Sequence, residues 1–194
     1  LPVSVGWHPG HYVASTSLSC AAPEKCAAQA RSEWKTALMS DGNLKGARAV
    51  YTWHDLEIAQ GEYNFTVIDD DIEYLRSLNP SYRLIIEIWT RDFSRKAAVP
   101  KTPQDSREAG VPDYLIDAGG AVVNYNGVCA AVWRPVVMRR VVALHEALAT
   151  RYDGNRAVEA VHTDEFAPPK PTTEDPTYSS AGAWAQWQVL MRAM

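Results

Sequence analysis

Tyr82-Arg83-Leu84-Ile85-Ile86-Glu87-Ile88-Trp89 is the stretch on which the fold turns. Its apolar residues run almost without a break. A strand with one face in water alternates apolar and polar residues, whereas a strand covered on both faces does not need to. The run therefore predicts a buried strand of a parallel sheet. Glu87 interrupts it, and a lone carboxylate in a core strand is costly. Inside a barrel it could pair with another polar group, so Glu87 reads as a buried network residue. The preceding segment is helical, because Ile68, Ile72 and Leu75 form one stripe at helical spacing. Thr66 with Asp69 three residues on reads as a capping box, and Asn79-Pro80 stops the helix.

The same alternation extends in both directions. Residues 3–7 (Val-Ser-Val-Gly-Trp) read as a first strand ending in the turn His8-Pro9-Gly10-His11. Pro23 opens a helix with Ala27, Ala30, Trp34 and Leu38 on its apolar face, and Asp41-Gly42-Asn43 closes it. Residues 47–51 form the second strand. Downstream, Pro135 starts a helix whose face is Val137, Val141, Leu144 and Leu148. Residues 157–161 make a fourth strand, and a last helix carries Trp184, Trp187, Met191 and Met194. Strands alternating with amphipathic helices predict an α/β fold with a parallel sheet. Two stretches escape the pattern: residues 91–134, a long irregular segment rich in Pro, Gly and Asp, and the Pro-rich loop 167–176. The expectation is one partial domain over residues 1–194, made of four βα units.

Bulk properties narrow the function. A net charge of −4 gives no basic footprint for nucleic acid or an anionic membrane. No apolar run approaches the roughly 18 residues that suggest a spanning helix. The sequence starts Leu1-Pro2, which reads as a processed or cut product with no signal peptide left to recognise. Among three cysteines, Cys20 and Cys26 lie close enough to close a small disulfide loop, with reduced thiols the alternative, while Cys129 has no evident mate. Their spacing matches no zinc motif. A Cys20–Cys26 disulfide would fit an exported protein, so a secreted or periplasmic one is expected. Asn64-Phe65-Thr66 is a formal glycosylation triplet of a kind that occurs often by chance. Seven tryptophans and nine tyrosines suit stacking on sugar rings, although most such rings serve as core or rim packing.

Polar clusters fall where each strand ends, and in a (β/α)₈ barrel that is where the chemistry sits. His8 and His11 follow the first strand. Trp53, His54, Asp55 and Glu57 follow the second, Arg91 and Asp92 the third, and Asp164 and Glu165 the fourth. The most specific segment is Tyr51-Thr52-Trp53-His54-Asp55-Leu56-Glu57-Ile58-Ala59-Gln60-Gly61-Glu62-Tyr63-Asn64-Phe65-Thr66-Val67-Ile68-Asp69. Gly61 suits a tight turn, Tyr63 and Phe65 pack the loop, and Glu57 reads as a structural partner within it.

That pattern, Trp-x-x-Leu-Glu followed by Gly-x-Tyr-x-Phe and Ile-Asp, resembles the barrel glycosidases of the β-galactosidase, xylanase and cellulase superfamily. Residues 84–93, the run Val111-Pro112-Asp113-Tyr114-Leu115 and residues 158–165 extend the resemblance. It implies the first half of a (β/α)₈ barrel, with Glu165 as the acid/base after the fourth strand. Asp164 stands where the family usually has Asn, which removes a hydrogen-bond donor to the sugar. A neighbouring negative charge disfavours ionisation, so Asp164 is expected to help keep Glu165 protonated. The resemblance puts the nucleophile after a seventh strand, outside this chain. Glu174 and Asp175 read as solvated loop residues.

Glycosidic cleavage needs one carboxylic acid to protonate the leaving oxygen and a second carboxylate at the anomeric carbon or its water. The expected function is therefore a retaining-type glycoside hydrolase acting on an oligo- or polysaccharide. Trp53, Trp89, Arg91, Tyr114 and Asp164 would line the subsites, and Arg91 could instead pair with Asp92, Asp55 or Glu57. No cofactor or metal is expected. A non-catalytic carbohydrate-binding half-barrel is the alternative. Less favoured is a metal-dependent hydrolase built on His8, His11, His162 and Asp164, since such barrels favour His-x-His over the His8-x-x-His11 present here. A lone half-barrel leaves strand edges exposed, which predicts completion by further chain or by a second copy.

Overall fold

The computed structural model describes residues 10–14, 23–92, 102–106, 110–124, 127–163 and 175–194. In chain order the elements are β1 (His11–Ala14), α1 (Pro23–Ser40), β2 (Leu44–Thr52), α2 (Trp53–Leu56), β3 (Glu57–Ala59), β4 (Glu62–Tyr63), α3 (Thr66–Leu78), β5 (Arg83–Trp89) and β6 (Arg91–Asp92). A 3-10 turn at Pro103–Ser106 follows, then α4 (Asp113–Asp117), β7 (Ala121–Asn124), β8 (Gly127–Ala130), α5 (Pro135–Tyr152), β9 (Val158–Thr163) and α6 (Ser180–Ala193). The fold is α/β, with a four-stranded parallel sheet in the order β1-β2-β5-β9.

Two compact units make up the chain. The described residues of Leu1–Val50, Phe65–Ile88 and Gly154–His162 form the first. Its strands alternate as the pleat requires. Ala47 and Ala49 on β2, and Leu84, Ile86 and Ile88 on β5, are buried, as are Trp34 and Leu38 on α1 and Ile68, Ile72 and Leu75 on α3. The two helices are tied by Arg31 Nε donating to Asp71 Oδ1 at 2.8 Å and Tyr74 Oη donating to the Arg31 carbonyl at 2.9 Å. Gly46 lets β2 approach β5 closely, because a Cβ there would stand 1.8 Å from the Arg83 carbonyl oxygen.

Two expectations need correcting here. Residues 3–7, expected as the first strand, lie outside the described residues with His8. The first described strand is β1, which pairs in parallel with β2 in the register His11↔Leu44 and Ala14↔Arg48. His11 therefore opens a strand beside the first residue of β2, at the opposite end of the sheet from the strand ends where it was expected. The N-cap of α3 also falls one residue earlier than expected, on Phe65 rather than Thr66. Phe65 takes the N-cap position with no side-chain capping bond, and its carbonyl accepts from the backbone N–H of Ile68 and Asp69. Phe65 is buried, and seating its ring leaves Thr66 inside the first turn.

Tyr51–Asn64, Trp89–Asp153 and the described part of Thr163–Met194 form the second unit. The described part of the stretch 91–134, expected to be irregular, carries regular structure. β6, β8 and β7 make a three-stranded antiparallel sheet, with β7 and β8 a hairpin in the register Ala121↔Ala130 to Asn124↔Gly127. Those strands are four residues long or shorter, so their alternation is too brief to stand out in sequence. The apolar stripe of α5 is as expected: Val137, Val141, Leu144 and Leu148 are all buried. On α6 the buried line is Ala183, Trp187 and Leu190, while Trp184, Met191 and Met194 are exposed. Cys129 is a buried thiol outside any disulfide, with Sγ 3.7 Å from the Val122 carbonyl oxygen. The side chains of Cys20 and Cys26 lie outside the described residues. No described helix is long and apolar enough to cross a membrane.

Candidate active site

Where β2 ends, Thr52 caps the short helix α2. Its hydroxyl accepts from the Asp55 N–H at 3.2 Å and donates to Asp55 Oδ2 at 2.6 Å. The cap turns Trp53 inward, where it is fully buried, and its indole Nε1 donates to Glu57 Oε2 at 2.6 Å. Glu57 is also fully buried. Its Oε1 accepts from the Gly61 N–H at 2.7 Å and pairs with Arg140 of α5. Gly61 holds φ at +81°, the left-handed conformation that lets β3 turn into β4 and aims that N–H back at Glu57.

Arg140 links three more groups. Its Nε donates to Tyr114 Oη and its Nη2 to Tyr63 Oη, each at 3.2 Å, and its guanidinium carbon lies 5.9 Å from the Tyr114 ring centroid. Burial pushes the Tyr114 hydroxyl up to about 12, with Glu57 adding and Arg140 partly offsetting. Tyr63 is raised by the same causes, burial first and then Glu57. For Arg140, burial opposes the charge, but the bonds to Tyr114 and Glu57 outweigh it and raise the pKa. Glu57 is thus the structural partner the sequence suggested, and its cation is Arg140. The sequence reading missed Arg140, although the signal was present: it falls between Val137 and Leu144 at helical spacing, on the side of α5 that faces the interior.

The other expected lining residues of this unit are set as follows. Trp89 is half-buried at the end of β5. Arg91 is buried and paired in register with Cys129 through the antiparallel β6–β8 ladder. Tyr114 is half-buried on α4 with its hydroxyl engaged by Arg140. Trp53 presents no exposed ring face. β9 ends at Thr163, so Asp164 and Glu165 lie outside the described residues.

In the first unit, neighbouring strands carry two ion pairs. Arg48 on β2 pairs with Glu87 on β5, and Arg83 on β5 pairs with Glu159 on β9 at 2.7 Å. His162 Nδ1 stands 3.9 Å from Glu87 Oε2, with the imidazole largely exposed. Glu87 is therefore compensated, as expected for a carboxylate in a core strand. Tyr12 is pushed up to about 12 by burial and then by Glu159. Among the described residues no group of three His, Cys, Asp or Glu side chains could hold a metal ion.

Solved structures give the fold its relatives. An endo-glycoceramidase II from a Rhodococcus species matches with a TM-score of 0.62 at 16% identity, over 94% of this chain and 45% of its own. An exo-beta-1,4-mannosidase from Opitutaceae bacterium strain TAV5 matches with a TM-score of 0.55 at 15% identity, over 93% of this chain and 29% of its own. A beta-galactosidase from Bacillus circulans matches with a TM-score of 0.50 at 15% identity, over 85% and 22%. The chain has the fold of part of a (β/α)₈ barrel. It spans less than half the length of each of these structures. No protein-family model matches it, and no curated protein does.

Proposed function

We propose that this chain is the acid-bearing part of a retaining glycoside hydrolase acting on an oligo- or polysaccharide. The observation that carries the reading is the partial-barrel fold, whose solved relatives are named as sugar-cleaving enzymes, combined with a glutamate two residues beyond the end of the fourth sheet strand. Glu165, protonated, donates its proton to the glycosidic oxygen as the bond from that oxygen to the anomeric carbon breaks. A carboxylate from outside this chain attacks the anomeric carbon and forms a glycosyl ester. Glu165, now ionised, takes a proton from water as the water oxygen displaces that ester, which restores both carboxyl groups. Trp89, Arg91, Tyr114 and Asp164 serve as the sugar-lining residues, with Trp53 acting from behind through Glu57.

The test compares the full-length protein with its Glu165→Gln variant on aryl glycosides of graded leaving-group acidity. General acid catalysis contributes about 10²–10⁴-fold. Loss of that size is expected on a poorly acidic leaving group, with much less on an activated nitrophenyl one. Equal losses on both substrates would exclude Glu165 as the proton donor. Sugar binding without turnover by the parent would favour a non-catalytic binding role.

A further inference from the structure

We infer that Tyr114 meets the sugar with its ring rather than its hydroxyl, and that Arg140 is the positioning residue that fixes that ring. This inference deepens the reading above, in which Tyr114 lines a sugar subsite, and rests on it. Tyr114 lies on α4, and the chain just before α4 is tied to the end of β2. The link is the backbone N–H of His54 in α2, which donates to the Gly110 carbonyl at 3.3 Å. In a (β/α)₈ barrel the chemistry sits at the C-terminal ends of the strands, so α4 stands on the side where a sugar would bind.

The Tyr114 hydroxyl is spent inside the protein. Its oxygen accepts from Arg140 Nε at 3.2 Å, and its proton is directed at the Glu57 carboxylate. A phenol has one proton to give, so donating it to a sugar oxygen would break a bond to a fully buried carboxylate. Arg140 is itself held in place: it pairs with Glu57 Oε1, and its Nη2 donates to Tyr63 Oη at 3.2 Å. Glu57 is fixed in turn by the Trp53 indole at 2.6 Å and the Gly61 N–H at 2.7 Å. Tyr114 is half-buried, so part of its side chain is open to a ligand. With the hydroxyl engaged as acceptor and as donor, that part is the ring. A ring offers apolar area, which takes up the C–H face of a pyranose.

A contact of this kind grips the bound sugar before and during the reaction alike, so losing it raises KM more than it lowers kcat. The experiment measures both constants for the full-length protein on a nitrophenyl glycoside, with Tyr114→Ala, Tyr114→Phe, Arg140→Lys and the double variant Tyr114→Ala/Arg140→Lys. Tyr114→Ala is expected to raise KM about ten-fold, and Tyr114→Phe, which keeps the ring, about two- to three-fold. Arg140→Lys keeps a charge for Glu57 but lacks the planar fork that reaches Tyr114, and should raise KM about three-fold. In the double variant KM should equal that of Tyr114→Ala alone, because Arg140 acts through the ring. A folding defect lowers the amount of active protein, and with it the apparent kcat, but leaves KM where it was. Tyr114→Phe as impaired as Tyr114→Ala would assign the contact to the hydroxyl and overturn the inference. A further rise of KM in the double variant would overturn the role of Arg140. An unaltered KM in Tyr114→Ala, with Glu165→Gln still selective for poor leaving groups, would overturn the ring contact and leave the acid role standing. A parent without turnover would overturn both together.

Discussion

Glu57 is fully buried and ionisable, so its surroundings must compensate it. Trp53 and Gly61 supply neutral donors, and Arg140 supplies the charge. Removing one partner of a buried pair costs about 3–5 kcal/mol because it strands the other charge. Arg140→Met is therefore expected to destabilise by about that much, seen as a lower urea midpoint with unchanged slope. Combining it with Glu57→Gln should recover a large part, and a double variant no more stable than Arg140→Met would argue against the pairing. The tyrosines give a pH dependence with a definite sign. Tyr12 and Tyr114 titrate near 10.0 when unfolded and at about 12 when folded, from burial in each case first. Between those values the folded state keeps protons that the unfolded state has released. Their contribution is complete below pH 10 and is lost as the pH rises toward 12. Urea midpoints at intervals from pH 9 to 12 should fall through that window. Tyr114→Phe should flatten the fall, and an unaltered curve in Tyr114→Phe would remove this residue as the cause.

Between elements, the tightest constraint is Gly46. Where β2 passes β5 the backbones leave no room for a methyl group, so Gly46→Ala must push the strands apart. Overpacking of this kind costs about 1–3 kcal/mol and sometimes more. Because Arg83 also begins the pair with Glu159, the expected loss lies at the upper end or beyond. Leu144→Ala on α5 gives the comparison, with about 2–5 kcal/mol from a cavity that does not involve the sheet. A Gly46→Ala variant as stable as its parent would mean β2 and β5 do not approach as described. Elements of this size were legible in sequence because they are long and periodic. The stripes on α1, α3 and α5 and the run at 82–89 all repeat often enough to be read. The β6–β8–β7 sheet was not legible, since a strand of four residues or fewer carries too few alternations. Nor was the exact start of α3, whose N-cap is the buried Phe65 and not Thr66, one residue on.

For the whole molecule, the sequence conveyed which residues lie near strand ends better than what holds them. Glu57 was readable as structural from its loop, yet its cation came from a helix 83 residues away along the chain. Asp175 seemed solvated because a Pro-rich loop suggests exposure, and only the fold brings Arg134 to it. Long-range pairs of this kind leave no periodic trace, which is why the partners of Glu57 and Asp175 were not legible in the sequence. Among the described residues β1 and β9 are the edges of a parallel sheet, and an open edge offers a row of unpaired backbone groups to another chain. Separately, α6 exposes Met191 and Met194 at 48% and 63%. In the solved barrels that share this fold, more than half of each chain lies beyond the matched part. Expressed by itself, residues 1–194 should therefore associate, with a mass by light scattering that rises with concentration and falls when Met191 and Met194 are changed to Gln. Backbone amides of Val158–Thr163 should exchange faster in dilute than in concentrated solution, since pairing protects an edge. A monomer at all concentrations, with those amides already protected, would mean the edge is satisfied within the chain and needs no partner.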